Sequence, residues 1–457
     1  MRKVSCLMLL LCLLLSTGSL QAQDTTATYK LRLSLSLLDL PQQTDLPQRY
    51  PSMLQSTELS NNLYDLGFWG IHSLGDKLVK VDHAGSTKGR AFLNNSVKYL
   101  LSLGFVKYGS ELPIPLGVWA HEEYHRAVLG VNGVSSKNGN WLPNRWDGTV
   151  YGVTDAALAN LKANNLNGLL YSYVAGVQSE NLSTQTNVIS DFYHQRSYYK
   201  NALYLYNAYY TWDYLKFSTS PASDDVKRDA PQHEHADPRK RDYAGSDLTA
   251  WAYDMFNSDQ PYTSRDLFPG GEGVNRRVGY SDLSEEAQDF LQKQKRLSLI
   301  NFANPAIFFV NRIRISPDLS FNFFGQYVPT HFGSDVALQL PAKYKQYNLL
   351  LGLHTYRNRE HTYPGLNLGL ADLPLGTQGR WHTSVALHGW KQPAQQSFYD
   401  ESSKLGGAAE LSMKYSLGSH LATFVTVAGK TEGWQLGSPY LKDNLSLRAG
   451  INFNVLQ

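Results

Sequence analysis

The sequence predicts an α+β protein, a helical region joined to a C-terminal antiparallel β-barrel of about eight strands. Three observations carry that expectation. The first two thirds of the chain contain long segments with apolar residues at helical spacing. From about Leu297 to Gln457 the pattern changes to alternating runs separated by turn residues, with no helical segment between them. Near the N-terminus, KLRLSLSLL at 30–38 sets Leu31, Leu33, Leu35 and Leu37 on one face and Lys30, Arg32, Ser34 and Ser36 on the other, which makes it a strand.

Taken in order, Arg2 and Lys3 precede an apolar run from Val4 to Leu15, and Ser16 to Ala22 is small and polar. This is the layout of a secretory signal peptide over 1–22. The run is too short to span a bilayer as a helix, and no later segment offers roughly 18 uninterrupted apolar residues. An exported chain without a transmembrane helix is expected. Both cysteines, Cys6 and Cys12, fall inside the signal, so the mature chain has no disulfide and no thiolate metal ligand. Of the 42 Lys and Arg against 39 Asp and Glu, cleavage removes Arg2 and Lys3 and leaves a charge near +1. That balance gives no reason to invoke nucleic acid or an anionic surface.

Residues 23–60 read as the N-terminal strand and a linker, 61–296 as the helical region and 297–457 as the barrel. Helical spacing from Asn61 to Tyr108 is interrupted by glycines. Pro113 and Pro115 before, and Gly130 after, bound a helix at about 116–129. Residues 131–153, rich in Gly, Asn and Ser, read as a loop or short hairpin. Thr154 is a suitable N-cap for a helix over about 155–182, and a tyrosine-rich helix follows from Tyr193 to Leu215. The polar stretch 218–245, with Pro221, Pro231 and Pro238, reads as a mobile surface loop. Ser284-Glu285-Glu286 opens the last helix. Eight alternating runs then lie at 321–327, 335–340, 346–355, 365–370, 381–390, 408–417, 421–429 and 445–455.

The stretch GVWAHEEYHR at 117–126 carries the chemistry. On a helix, His121 and His125 lie one turn apart on the same face. Two imidazoles at that spacing reach one ion through bonds of about 2.0–2.1 Å. Glu122, about 100° further round, is then placed to act as general base on a metal-activated water. Glu123 is expected to be an exposed helix residue. Without a metal or a charge partner, burying two histidines on this apolar helix is costly.

WAHEEYH resembles the active-site helix of the zincin metallopeptidases over about a dozen residues. The resemblance implies Zn2+ held by His121 and His125, with Glu122 as the base and a peptide or other amide as the substrate. No third histidine follows at metzincin spacing. The gluzincin-like pattern points to a glutamate on a following helix, and Glu180 is the candidate; Gly176, one turn before it, lets the two helices approach closely. His194, Asp191 and Asp155 are the competing ligands, and His233 and His235 read as solvated. The tyrosines of 193–215 read as packing.

The C-terminal strands resemble those of bacterial outer-membrane barrels, and the strand at 30–38 is placed to pair with the last one. A soluble barrel with its apolar face inward produces the same alternation. The reading that follows is a zinc-dependent metallopeptidase-like hydrolase of the cell envelope, in the outer membrane or periplasm. The alternative is a non-catalytic outer-membrane protein whose helical part binds a ligand or partner.

Overall fold

A computed structural model describes residues 31–41, 52–80, 88–112, 114–138, 148–194, 198–377 and 379–455. The expected signal peptide lies outside them. Nine α-helices are present among the described residues: α1 (Met53–Leu78), α2 (Lys88–Gly109), α3 (Gly117–Val131), α4 (Asp155–Asn164), α5 (Leu166–Tyr193), α6 (Asn201–Ser218), α7 (Pro221–His233), α8 (Asp247–Phe256) and α9 (Glu285–Ser298). Of these none is long and apolar enough to cross a membrane.

Local chemistry sets several boundaries. Ser52 and Gln55 form a reciprocal capping box that starts α1 eight residues before the expected point. Thr154 accepts from Ala157 N and caps α4 as expected. The single helix anticipated over 155–182 is broken at Asn165, which ends α4 in a non-helical conformation (φ −155°, ψ 69°) and caps α5 by accepting from Gly168 N. From Gly168 to Asn181 every residue of α5 is buried, so this helix runs through the middle of the molecule. Its Tyr173 and its neighbours Leu129, Leu215 and Trp251 belong to one continuous apolar core.

The stretch 218–245 is not a loop throughout. It opens with α7, which begins at Pro221 and includes Pro231, and Glu234 at its end pairs with Arg277. The segment then turns inward, burying Arg241, Tyr243 and Ala244.

Strand β1 (Leu31–Leu40) pairs antiparallel with the last strand, β13 (Asn444–Val455), so the helices are inserted between two partners in one sheet. Two short strands, β2 (Lys137–Asn138) and β3 (Val150–Tyr151), form a separate ladder, the expected hairpin. The remaining strands are β4 (Ile313–Arg314), β5 (Leu319–Phe321), β6 (Phe324–Thr330), β7 (Gly333–Tyr344), β8 (Tyr347–Arg357), β9 (Thr362–Leu375), β10 (Trp381–Pro393), β11 (Ser403–Ser416) and β12 (Leu421–Lys430). Each run expected from alternation lies on a strand here except 321–327, which is split between β5 and β6.

The barrel expectation requires a correction, because the sheet is not closed. Its order is β1-β13-β12-β11-β10-β9-β8-β7-β5-β4, with β6 also on β7. The outer edge of β7 is divided between β5 and β6, and β1 at the opposite end meets neither. Helices occupy the gap: α1 packs on β1, α5 on β6, and the two helices touch.

Candidate metal centre

Helix α3 presents the HEEYH motif from inside the core. No side chain caps Leu116, but Gly117 N donates to the Tyr64 hydroxyl (3.0 Å), which satisfies a free amide of the first turn. Every residue from Trp119 to Gly130 is buried. Glu123, expected on the surface, is fully buried, accepting from Arg126 Nη1 (2.6 and 2.9 Å) and from Asn138 Nδ2 (3.0 Å). Pairing removes the cost that would otherwise expel it.

The histidine rings lie 4.9 Å apart, centre to centre. Each has its Nδ1 committed to an acceptor: His121 Nδ1 donates to Glu180 Oε1 (3.3 Å), and His125 Nδ1 donates to the Ser172 carbonyl (2.5 Å). Tyr243, at the end of the 218–245 stretch, donates to the same carbonyl (2.8 Å). These contacts fix the tautomer that leaves both Nε2 lone pairs free, the usual arrangement around a metal-binding imidazole.

Both Nε2 atoms then face a single carboxylate oxygen. Asp247 Oδ2 lies 3.3 Å from His121 Nε2 and 3.2 Å from His125 Nε2. The edge of a tetrahedron with bonds of about 2.1 Å is about 3.4 Å, so these separations suit three donors on one ion. The buried group His121–His125–Asp247 could hold a metal ion. Two lone pairs turned toward a carboxylate repel it unless a metal ion or a proton lies among them.

Gly176 supplies the space. A Cβ built on it falls 2.3 Å from both Nε2 atoms and 2.5 Å from His121 Cδ2, so a side chain here would press on the two rings. Any other residue at this point of α5 would place carbon there. The expectation of a close helix approach at Gly176 was therefore right, and the approach is closest at the two donor atoms.

Glu180 was expected as the third ligand. The structure places it beside the other nitrogen of His121, with Oε1 on Nδ1 and Oε2 buried without a hydrogen-bond partner. The donor grouped with the two histidines is Asp247, 126 residues beyond His121. It opens α8, where the helix dipole favours a carboxylate, and its backbone N donates to the Tyr214 hydroxyl (3.3 Å). The cue in the sequence, Ser246-Asp247 before an apolar helical run, marks a helix start but says nothing of a partner so distant.

The competing candidates are engaged elsewhere. Asp191 accepts from Tyr204 (2.6 Å) and Lys200 (3.3 Å), and Asp155 accepts from Arg276 and from Val274 N. His194 ends α5, and His233 and His235 lie at and beyond the end of α7.

Burial opposes a charge on His121, but Glu180, Asp247 and Glu122 outweigh it and hold its pKa well above the ordinary histidine range. Burial likewise opposes the Asp247 carboxylate, and His125 with His121 reverses that, keeping it well below the usual range. Tyr210 and Tyr214, with rings 6.0 and 6.2 Å from the His121 ring, stay neutral phenols because burial and the nearby carboxylates push their pKa values well up. Glu122 is buried next to His121 and contributes to its field.

No family model matches this chain, and neither does any curated protein or solved structure.

Proposed function

We propose that the protein is a zinc-dependent hydrolase of the metallopeptidase type, acting in the cell envelope on a peptide or related amide. One observation carries the reading: two imidazole Nε2 atoms and Asp247 Oδ2 converge in one buried group, at a close helix approach that Gly176 permits. The HEEYH motif, similar to that of zincins, supports it. The likeness now comes with an aspartate as third donor, and Glu180 orients His121 from behind.

His121, His125 and Asp247 would hold the ion, which when bound supplies a Lewis acid and makes water acidic near neutral pH. Glu122 takes the proton of the attacking water on its carboxylate and returns it to the leaving amine. The Ser172 carbonyl and Glu180 keep the imidazole tautomers in place. Tyr210 and Tyr214 are neutral hydroxyls beside the site, suited to donating to a carbonyl oxygen.

Elemental analysis of the purified chain tests this directly. About one zinc per chain is expected, falling to a small fraction in His121→Ala, His125→Ala and Asp247→Ala. Glu122→Gln should retain zinc and lose amide hydrolysis. Full metal retention in the histidine and aspartate variants would refute the site.

The second reading, a non-catalytic envelope protein, is favoured by the ion pairs within the group. Protonated His121 bridges Glu180 and Asp247 and offsets part of their buried charge without a metal. It requires that the wild-type chain contain no stoichiometric zinc.

A further inference from the structure

The sheet is built inside out. On one face a row of paired residues runs Leu349–Leu370–Val385–Leu411–Val427–Leu447 across six strands and ends on β1 at Leu40. These side chains are open: Leu411 is 50% exposed and Val427 46%. One residue along, the opposite face carries Ser384, Ser412, Thr426, Arg448 and Asp39 in a continuous paired row. That face is covered, and Thr426 is only 3% exposed. Behind it lies a cavity of about 310 Å³ whose walls include Asp335, His354, Asn367, Glu410 and Arg448. Apolar side chains outside and polar ones inside reverse the arrangement that water selects.

We infer that the outer face of this open sheet lies against the acyl chains of a phospholipid bilayer. Its dimensions agree. On β11 the outward residues extend from Leu405, 77% exposed, to Tyr415, which stacks near Trp381 at 4.7 Å. Ten residue steps cover about 33 Å along a strand, or about 25 Å of depth at the tilt of about 40° usual for membrane strands. Trp381, Tyr415, Tyr344 and Tyr347 sit together at the rim where the β7–β8, β9–β10 and β11–β12 turns lie, the level at which amphipathic rings meet headgroups.

An open sheet meets hydrocarbon only if its edges are satisfied, because lipid offers no hydrogen bonds. The free sides of β1 and of β6 are sealed from within the chain. On β1, Asn62 bonds the N–H and C=O of Ser34, Glu58 Oε2 accepts from Ser36 N (2.8 Å), and Gln55 Nε2 donates to Ser36 O (3.0 Å). All three side chains come from α1. On β6, Gly325 N donates to Ala303 O (2.8 Å), Tyr327 N donates to Asn301 Oδ1 (2.7 Å), and Gln178 of α5 donates to Pro329 O (2.8 Å). The inference is independent of the metal centre, since no ligand residue takes part.

Single-cysteine variants test it, because Cys6 and Cys12 are the only native thiols and both can be replaced by serine. Leu411→Cys, Val427→Cys and, facing inward, Thr426→Cys are labelled with an environment-sensitive dye. The full chain is then mixed with short-chain phosphatidylcholine vesicles containing brominated acyl chains. The expected result is loss of most of the fluorescence at 411 and 427, little change at 426, and no quenching of the first two by iodide. Flotation of the unmodified chain with the vesicles, resistant to alkaline extraction, reads the same surface without any substitution. The inference is overturned if the chain stays apart from the vesicles or if iodide quenches 411 and 427. It is equally overturned by a lipid-free dimer that shields those positions, since the face then belongs to a second copy.

Discussion

Around Trp251 the apolar side chains point inward. The ring is fully buried, packs edge-on against Phe290 at 5.1 Å, and shares a core with Leu129, Leu169 and Val174. Around Leu411 they point outward, and the interior is occupied by hydroxyls, carboxylates and an arginine. The helical region is organised by exclusion of water, with buried charged clusters such as Lys162–Asp254–Arg265 tolerated where their members are paired. Part of the sheet joins the same core through Tyr327, Val328, Phe332, Tyr356 and Trp390, whereas behind Leu411 cross-strand hydrogen bonds and ion pairs such as Arg448–Glu410 (2.9 Å) contribute to its specification. One chain thus contains two solutions to burial. The metal centre falls in the region where a desolvated carboxylate and two imidazoles interact most strongly.

The sharpest way to break the contrast is Gly176→Ala. Its methyl would press on both imidazole rings and displace their Nε2 atoms, so zinc content measured by elemental analysis should fall nearly to zero while the fold, read by circular dichroism, persists. Unchanged zinc would mean that the histidines bind elsewhere. Next comes a matched pair. Leu129→Ala, in the helical core, should cost about 2–5 kcal/mol of unfolding free energy. Leu411→Ala, on the outer sheet face, should change stability in detergent by less than about 0.5 kcal/mol. Equal losses in denaturant titrations would erase the distinction between the regions. An intermediate effect, between those of this pair, is expected at the seam. Asn62→Leu strips Ser34 of both side-chain partners and should cost about 1–3 kcal/mol, with faster amide exchange on β1 than on β13.

The strands were legible because period two survives whichever face is wet. For the same reason the sequence could not say which face is wet; that depends on what covers Thr426 and what leaves Leu411 open. The partner of β1 was legible from its leucines, but closure was not, since the division of β7 between β5 and β6 is a matter of register over long range. His121 and His125 were readable from their spacing on one helix. Asp247 was not, because its approach depends on how α8 docks on α5. Glu180 had the expected glycine one turn away, yet lies on the Nδ1 side of His121, a difference of ring orientation that spacing does not encode. In 218–245 the composition was that of a solvated loop, and its few inward residues, Arg241, Tyr243 and Ala244, were outnumbered in the pattern.

Helix α5 divides the molecule. Gly176 abuts the two imidazoles, while Gln178 grips the edge strand β6 and Leu182 and Gln185 border the cavity behind the sheet. A single helix therefore forms part of the wall of that cavity and, about two turns away, sets the clearance around the histidine nitrogens.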